Sequence, residues 1–239
     1  MKIGVKIFPE DFEYAKKVAK YCDFFELMAI PGSDFKKIKE LDKPFTIHCI
    51  HSRWGFNPAD PAKKEINAKG AKAASEAADI LGADVIVIHP GYLETGDCSI
   101  DNAVSFLSAL DSRFIIENMP EKEESHPHLG NSFDAISSML KKTNKGICLD
   151  FAHAAAYAKF HGIDHINFIK KLTRFKPKYF HISDTRIETG EDLHLHLKEG
   201  DLKLLAIAKL IPKDSRILIE TNQELKKQHQ DILLLRELC

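Results

Sequence analysis

Eight short apolar runs, each followed by a stretch with helical periodicity, limit most strongly what this chain can become. Ile3 with Val5-Lys6-Ile7-Phe8 opens the series and Pro9 stops it. Residues 11–20 then put Phe12, Ala15, Val18 and Ala19 on one helical face. A second strand is expected over 23–29, and Pro31-Gly32-Ser33 turns the chain. Ser33 or Asp34 caps a helix running through Leu41. A third strand covers 44–50 and a long loop reaches Pro61. The longest helix, rich in alanine and lysine, covers 62–81, and Gly82 ends it. Val85-Ile86-Val87-Ile88 is β-branched throughout, as a strand buried on both faces should be. A helix over 100–110, a strand over 113–117, a polar loop over 120–130 and a helix over 133–140 follow. The sixth strand is the run into Asp150, with helical sequence to Leu172 broken near Gly162. The seventh spans 177–183 and leads into a loop over 184–200 and a helix over 202–211. The eighth spans 215–221, and a helix over 224–238 closes the chain.

Each strand-helix unit is about 30 residues, the size of a parallel crossover. Nothing in composition cuts the chain, so residues 1–239 read as a single α/β domain, a (β/α)8 TIM barrel. An open doubly wound sheet is the alternative. It usually has fewer strands, and no glycine-rich dinucleotide turn follows the first strand. A content of 44% hydrophobic and 29% charged residues is that of a globular protein with a substantial core. The net charge of −1 gives no global attraction to a polyanion, so any such partner needs a local field or bound metal ions. The apolar runs are too short for a secretory signal or a membrane span. The five cysteines (Cys22, Cys49, Cys98, Cys148, Cys239) lack paired spacing and read as reduced thiols. A cytoplasmic protein with no membrane partner is expected.

Twelve histidines is many for this length, and their positions matter more than their number. In a barrel the active site is built from the C-terminal strand ends and the loops after them. The third strand ends near His48 and His51, the fourth in His89, the fifth in Glu117. The sixth ends in Asp150 with His153 three residues on, the seventh in His181, the eighth in Glu220. The loop after the seventh carries Asp192 and His194. Alone, Asp150 could simply cap a helix, and any single histidine could be an ordinary hydrogen-bonded group. Together they place carboxylates and imidazoles at one barrel mouth with little compensating charge, Arg53 and Arg186 being the main cations nearby. Burying such acids is costly without positive charge, and divalent metal ions supply it. Oxygen and nitrogen donors suit zinc, and also manganese or cobalt.

These residues stand in a familiar order. The segments His51-Ser52-Arg53-Trp54-Gly55-Phe56-Asn57, Ile88-His89-Pro90-Gly91, Ile116-Glu117-Asn118, Asp150-Phe151-Ala152-His153, Phe180-His181-Ile182-Ser183-Asp184, Asp192-Leu193-His194 with Leu197-Lys198-Glu199-Gly200, and Leu218-Ile219-Glu220-Thr221 cover most of the chain. The chain resembles the xylose isomerase-like barrel superfamily, and within it the endonuclease IV (family 2 AP endonuclease) branch. That resemblance implies a hydrolase of DNA repair with up to three zinc ions. His51, His89 and Glu117 would hold the first ion. Glu117 would bridge to a second completed by Asp150, His181 and Glu220. His153, Asp192 and His194 would hold the third. It implies in-line phosphodiester hydrolysis of DNA at abasic or damaged sites, with Glu117 and Glu220 as the catalytic carboxylates. His51 is preferred to His48 because its spacing to Asn57 matches the family. Trp54, Asn57, Glu26 and His196 are candidate substrate contacts, although His196 also reads as a solvated loop residue, as do His126 and His128. Helical His161, His165 and His229 carry no assignment.

The sequence also departs from that branch. No arginine or aromatic residue marks the loop after the second strand. Phe151 replaces a small hydroxyl residue, and Lys198 replaces the first glycine of a Gly-Glu-Gly turn. Two alternatives therefore stand. One is a metal-dependent sugar or sugar-phosphate isomerase or epimerase, in which Glu117 and Glu220 shuttle a proton beside a carbonyl around one ion. The other is a non-catalytic metal-binding barrel. The partner is damaged DNA or a small phosphorylated sugar.

Overall fold

The computed structural model describes residues 1–123 and 126–239. Its eight parallel strands are β1 Lys2–Ile7, β2 Phe24–Ala29, β3 Phe45–Cys49, β4 Ile86–Ile88, β5 Phe114–Glu117, β6 Gly146–Asp150, β7 Tyr179–Ile182 and β8 Arg216–Ile219. They close in chain order, with β1 pairing both β2 and β8. The (β/α)8 expectation holds, and the doubly wound alternative is excluded because the sheet has no edge.

Nine α-helices are described: α1 Phe12–Val18, α2 Phe35–Ile38, α3 Lys64–Leu81, α4 Ile100–Ser108, α5 Phe133–Thr143, α6 Phe151–Phe160, α7 His165–Leu172, α8 Leu204–Ala208 and α9 Leu225–Leu238. Asp34 is the cap of α2, accepting from the backbone N–H groups of Lys36 and Lys37. Gly82 follows α3 in the left-handed region, at φ 71°. The helix expected over 202–211 shrinks to α8. The loop after β5 contains a short antiparallel ribbon, Lys122–Glu123 with His126–Pro127, where only a polar loop was expected. Residues 124 and 125 of that loop lie outside the described residues. No described helix is long and apolar enough to cross a membrane.

Alternation along the strands divides the core in two. Ile3, Val5, Ile7, Phe25, Leu27, Ile47, Ile86 and their equivalents face outward and pack under the helices. Phe24, Val87, Cys148, Tyr179 and Leu218 form a separate plug inside the barrel. Gly4 belongs to this layer, since a Cβ there would collide with the Phe24 ring. Two residues further along each strand comes the next inward layer: Lys6, Glu26, His48, His89, Glu117, Asp150, His181 and Glu220. Each of the eight strands thus contributes one inward ionisable group, at or near its C-terminal end except Glu26, which is the third of six residues in β2.

Candidate metal centre

Glu117 lies at the middle of this layer. Its Oε1 is 2.9 Å from His181 Nδ1 and 3.6 Å from His153 Nδ1. Its Oε2 is 3.1 Å from His89 Nε2 and 3.3 Å from His48 Nε2. His181 Nδ1 is also 3.0 Å from Glu220 Oε2. Glu117, Asp150, His181 and Glu220 form one group whose donor atoms all lie within 4.8 Å of one another, and His48, His89 and Glu117 form another.

Asn118 joins β5 to β6. Its side chain accepts from Asp150 N at 2.7 Å and donates to Asp150 O at 3.0 Å. Its carbonyl receives His153 Nδ1–H at 2.9 Å. Asp150 Oδ1 in turn accepts the His153 amide at 2.6 Å, so the capping role open in the sequence is real and coexists with the inward position. The loop after β7 brings a third set to the rim. Asp192 Oδ2 lies 3.2 Å from His153 Nε2 and 3.1 Å from His194 Nε2. This trio is more open than the strand-end groups. His194 is held at φ 48°, a conformation that strains a residue with a side chain. Its Nδ1 donates to the Glu220 carbonyl at 3.0 Å.

The fit of a cation follows from donor chemistry. His153 and His194 each use Nδ1–H on a carbonyl, which can only accept. A neutral ring then turns its Nε2 lone pair toward Asp192, acceptor against acceptor. His48 repeats the pattern: Nδ1 donates to the Cys49 carbonyl at 2.7 Å and Nε2 faces Glu117. Such contacts are favourable only with a cation between them or a proton on the ring. Without a cation, protons do this work at His153 and His194. Burial opposes charge on His153, but Asp150, Asp192 and Glu117 outweigh it and lift its pKa well above the usual histidine value. Burial and the neighbouring Asp192, Glu117 and Glu220 push Asp150 up to about 7, against the opposing pull of His153. Glu117 and Glu220 go the other way. Burial favours their neutral forms, yet His181, His48 and His89 around Glu117, and Lys6 and His181 around Glu220, hold both well below the carboxylate range.

Lys6 was missed from sequence. The expectation that Arg53 and Arg186 were the main cations overlooked a lysine on β1 whose ammonium bonds Glu220 Oε1 and lies 3.9 Å from Glu26 Oε1. Arg186 is exposed, while Arg53 lies over the Trp54 ring at the mouth. The signal was available: Lys6 stands two residues after Gly4, in step with every other inward pair.

Three of the expected substrate contacts lie buried among protein partners. Glu26 is fully buried behind His181, with Oε2 3.0 Å from His181 Nε2 and accepting the Tyr179 hydroxyl at 2.8 Å. Asn57 is fully buried and pins loops together, its amide donating to Tyr92 O at 2.9 Å and its Oδ1 accepting Tyr92 N at 3.0 Å. His196 is buried on the far side of its loop, with Nδ1 2.7 Å from Asp231 Oδ2. Trp54 does line the mouth, with Lys6, Phe8, His51, Arg53, His194 and Glu220, around a cavity of about 420 Å³. His51 sits one ring further out than His48, stacked on His89 at 5.1 Å. His126 and His128 line a neighbouring cavity of about 510 Å³ with Arg53, Lys63 and Tyr92, and His128 is buried, contrary to a solvated loop.

The departures also find places. Phe151 stacks on Phe180, ring centroids 5.5 Å apart, in the outer core. Lys198 takes φ 74°, the left-handed conformation a glycine would hold more easily. Gly200 cannot be replaced in the same way, because a Cβ would collide with the Thr185 carbonyl oxygen.

A closed parallel barrel with a layer of acids and histidines at its C-terminal mouth is a TIM barrel with clusters of potential metal ligands. Residues 24–238 match the family described as xylose isomerase-like TIM barrel, and the chain belongs to that family. No curated protein matches it. Among solved structures, a D-tagatose 3-epimerase-like protein superposes with a TM-score of 0.78 at 23% identity, covering 100% of this chain and 97% of the other. Endonuclease IV from Thermus thermophilus gives 0.75 at 18%, covering 100% and 98%. The TTHB071 protein from the same organism, soaked with ZnCl2, gives 0.74 at 17%, covering 100% and 98%. At these identities the likeness is one of fold.

Proposed function

We propose that this protein is a metal-dependent phosphodiesterase resembling endonuclease IV, with zinc as its metal and DNA at abasic or damaged sites as its substrate. The observation that carries the reading is the second set of donors. His153, Asp192 and His194 stand beside the strand-end group of Glu117, Asp150, His181 and Glu220, and a single-ion isomerase has no need of them. The proposed ligands are Glu117, Asp150, His181 and Glu220 for one ion, His153, Asp192 and His194 for another, and His89 with Glu117 and either His48 or His51 for a third. Bound cations would supply Lewis-acid activation of water and neutralise charge on phosphoryl oxygens. Glu220 faces the mouth cavity, so it can orient a water there. Glu117, bonded from several sides, fixes the spacing of the imidazoles around it. His181 is held in one orientation by Glu26 from behind.

The first experiment is a metal count on purified protein, with cleavage of an abasic-site duplex as its partner. More than one zinc per chain, and nicking abolished by chelator and by Glu117→Gln, are expected. One ion per chain that cannot be exceeded, with no nicking, would remove the phosphodiesterase reading. His48→Ala and His51→Ala, compared for zinc content, decide between the two histidines.

A second reading has its own observation. The mouth cavity of about 420 Å³ is of small-molecule size and is walled by Phe8 and Trp54 with Asn222 and Gln223, an aromatic and amide lining that suits a sugar. In a sugar or sugar-phosphate epimerase, Glu117 and Glu220 would exchange a proton with the carbon beside a carbonyl. Deuterium exchange from solvent into a ketose, without nicking, would favour it.

A further inference from the structure

Of the eight inward ionisable groups of the barrel, seven are carboxylates or imidazoles that can hold a metal ion, and one cannot. Lys6 is an ammonium between carboxylates and has no lone pair to offer. It is almost fully buried, at 9% exposed, and burying an ammonium is costly. If its only task were to neutralise acids, bound cations would do the same and Lys6 would be redundant. Its place in the register is fixed: Lys6 pairs with Glu26 on β2, and Val5 with Ile219 on β8 sets it beside Glu220. One of its three donors meets Glu220 Oε1, and Glu26 Oε1 lies too far for a hydrogen bond at 3.9 Å. The same side chain lines the mouth cavity, together with Arg53, Trp54 and His194.

We infer that Lys6 is an oxyanion-binding residue, whose ammonium donates to the substrate oxygen that carries negative charge at the centre. That oxygen is a phosphoryl oxygen if the protein is a phosphodiesterase and an enediolate oxygen if it is an epimerase. The inference rests on the reading of this mouth as an active site but not on the choice between the two reactions. A fixed cation aimed at developing charge in a low-dielectric pocket is a strong form of electrostatic stabilisation.

The test compares the zinc-loaded wild type with Lys6→Met and Lys6→Arg. Zinc per chain is measured by mass spectrometry, and two probes are titrated calorimetrically: inorganic phosphate, and acetohydroxamate as an enediolate mimic. Lys6→Met is expected to keep its zinc and to bind at least one probe about 10- to 100-fold more weakly, the loss of one charge-assisted hydrogen bond. Lys6→Arg is expected to retain most of the affinity. Unchanged affinity for both probes in Lys6→Met overturns the inference. So does loss of zinc, which would make Lys6 an organiser of the acids. Lys6-dependent binding of hydroxamate with no binding of phosphate leaves the inference standing and sinks the phosphodiesterase reading. If the wild type binds neither probe, both fall. Should Lys6→Met fail to fold, Lys6→Gln, which keeps a donor without the charge, makes the same comparison.

Discussion

His153 and His196 are both buried and both aim a ring nitrogen at a carboxylate, yet their surroundings differ in kind. His196 is bonded to Asp231 on α9, with the exposed Glu224 carboxylate 3.9 Å from its other nitrogen, and the Asp231 carboxylate is shared with the Leu197 amide at 2.9 Å. The arrangement is closed and ties the loop after β7 to the last helix. His153 has Asp192 at 3.2 Å, Glu117 at 3.6 Å and Asp150 at 3.9 Å, more acid than one imidazole can neutralise. One loop supplies both sites, presenting Asp192 and His194 to the barrel axis and His196 away from it. His196 meets one buried acid that is itself held by backbone, whereas His153 stands among three acids, the surroundings in which the proposed cation would sit.

The largest blow to the crowded side should come from Glu117→Gln. Glu117 touches four imidazoles, and its loss should lower zinc content and abolish activity, as read by mass spectrometry and nicking. On the closed side, Asp231→Ala should destabilise the fold by about 3 kcal/mol, the cost of breaking a buried pair. Zinc bound per folded chain should not change. Urea denaturation with a metal count checks both halves, and loss of zinc with unchanged stability would erase the distinction between the sites.

A smaller effect is expected from Glu26→Gln. The carboxylate behind His181 orients the ring, so zinc affinity should fall by about 10- to 100-fold in competition with a chelator, with folding intact. pH sharpens the contrast further. His153 and His181 have folded pKa values raised above the unfolded value of about 6.5, despite the opposing effect of burial. Their stabilisation of the metal-free protein is complete below that value and is lost as pH rises through the folded ones. The metal-free melting temperature should therefore fall over the interval above about pH 7. Zinc binding, which must displace those protons, should tighten over the same interval. A metal-free melting temperature that rises with pH would contradict the assignment. The least effect belongs to the exposed Lys178–Asp214 pair at 2.5 Å, where Asp214→Asn should leave the urea midpoint unchanged because solvent screens the pair.

Much of this protein was legible in its sequence. Eight apolar runs at a steady spacing give the closed barrel, because short buried strands joined by helices have few other ways to cover both faces. His89, Glu117, Asp150, His181 and Glu220 could be named because each ends such a run. The tertiary structure decided what each polar residue faces. Asn57 and Glu26 read as substrate contacts in one dimension and are fully buried in three, since a strand or loop residue near a site can point behind it. His196, two residues from His194, turns away because the loop reverses at the strained His194. Lys6 was hidden for the opposite reason: a lysine in a first strand reads as a solvated charge. Only closure of β1 against β8 brings it beside Glu220, because closing the barrel joins the two ends of the chain, a contact that no local pattern encodes.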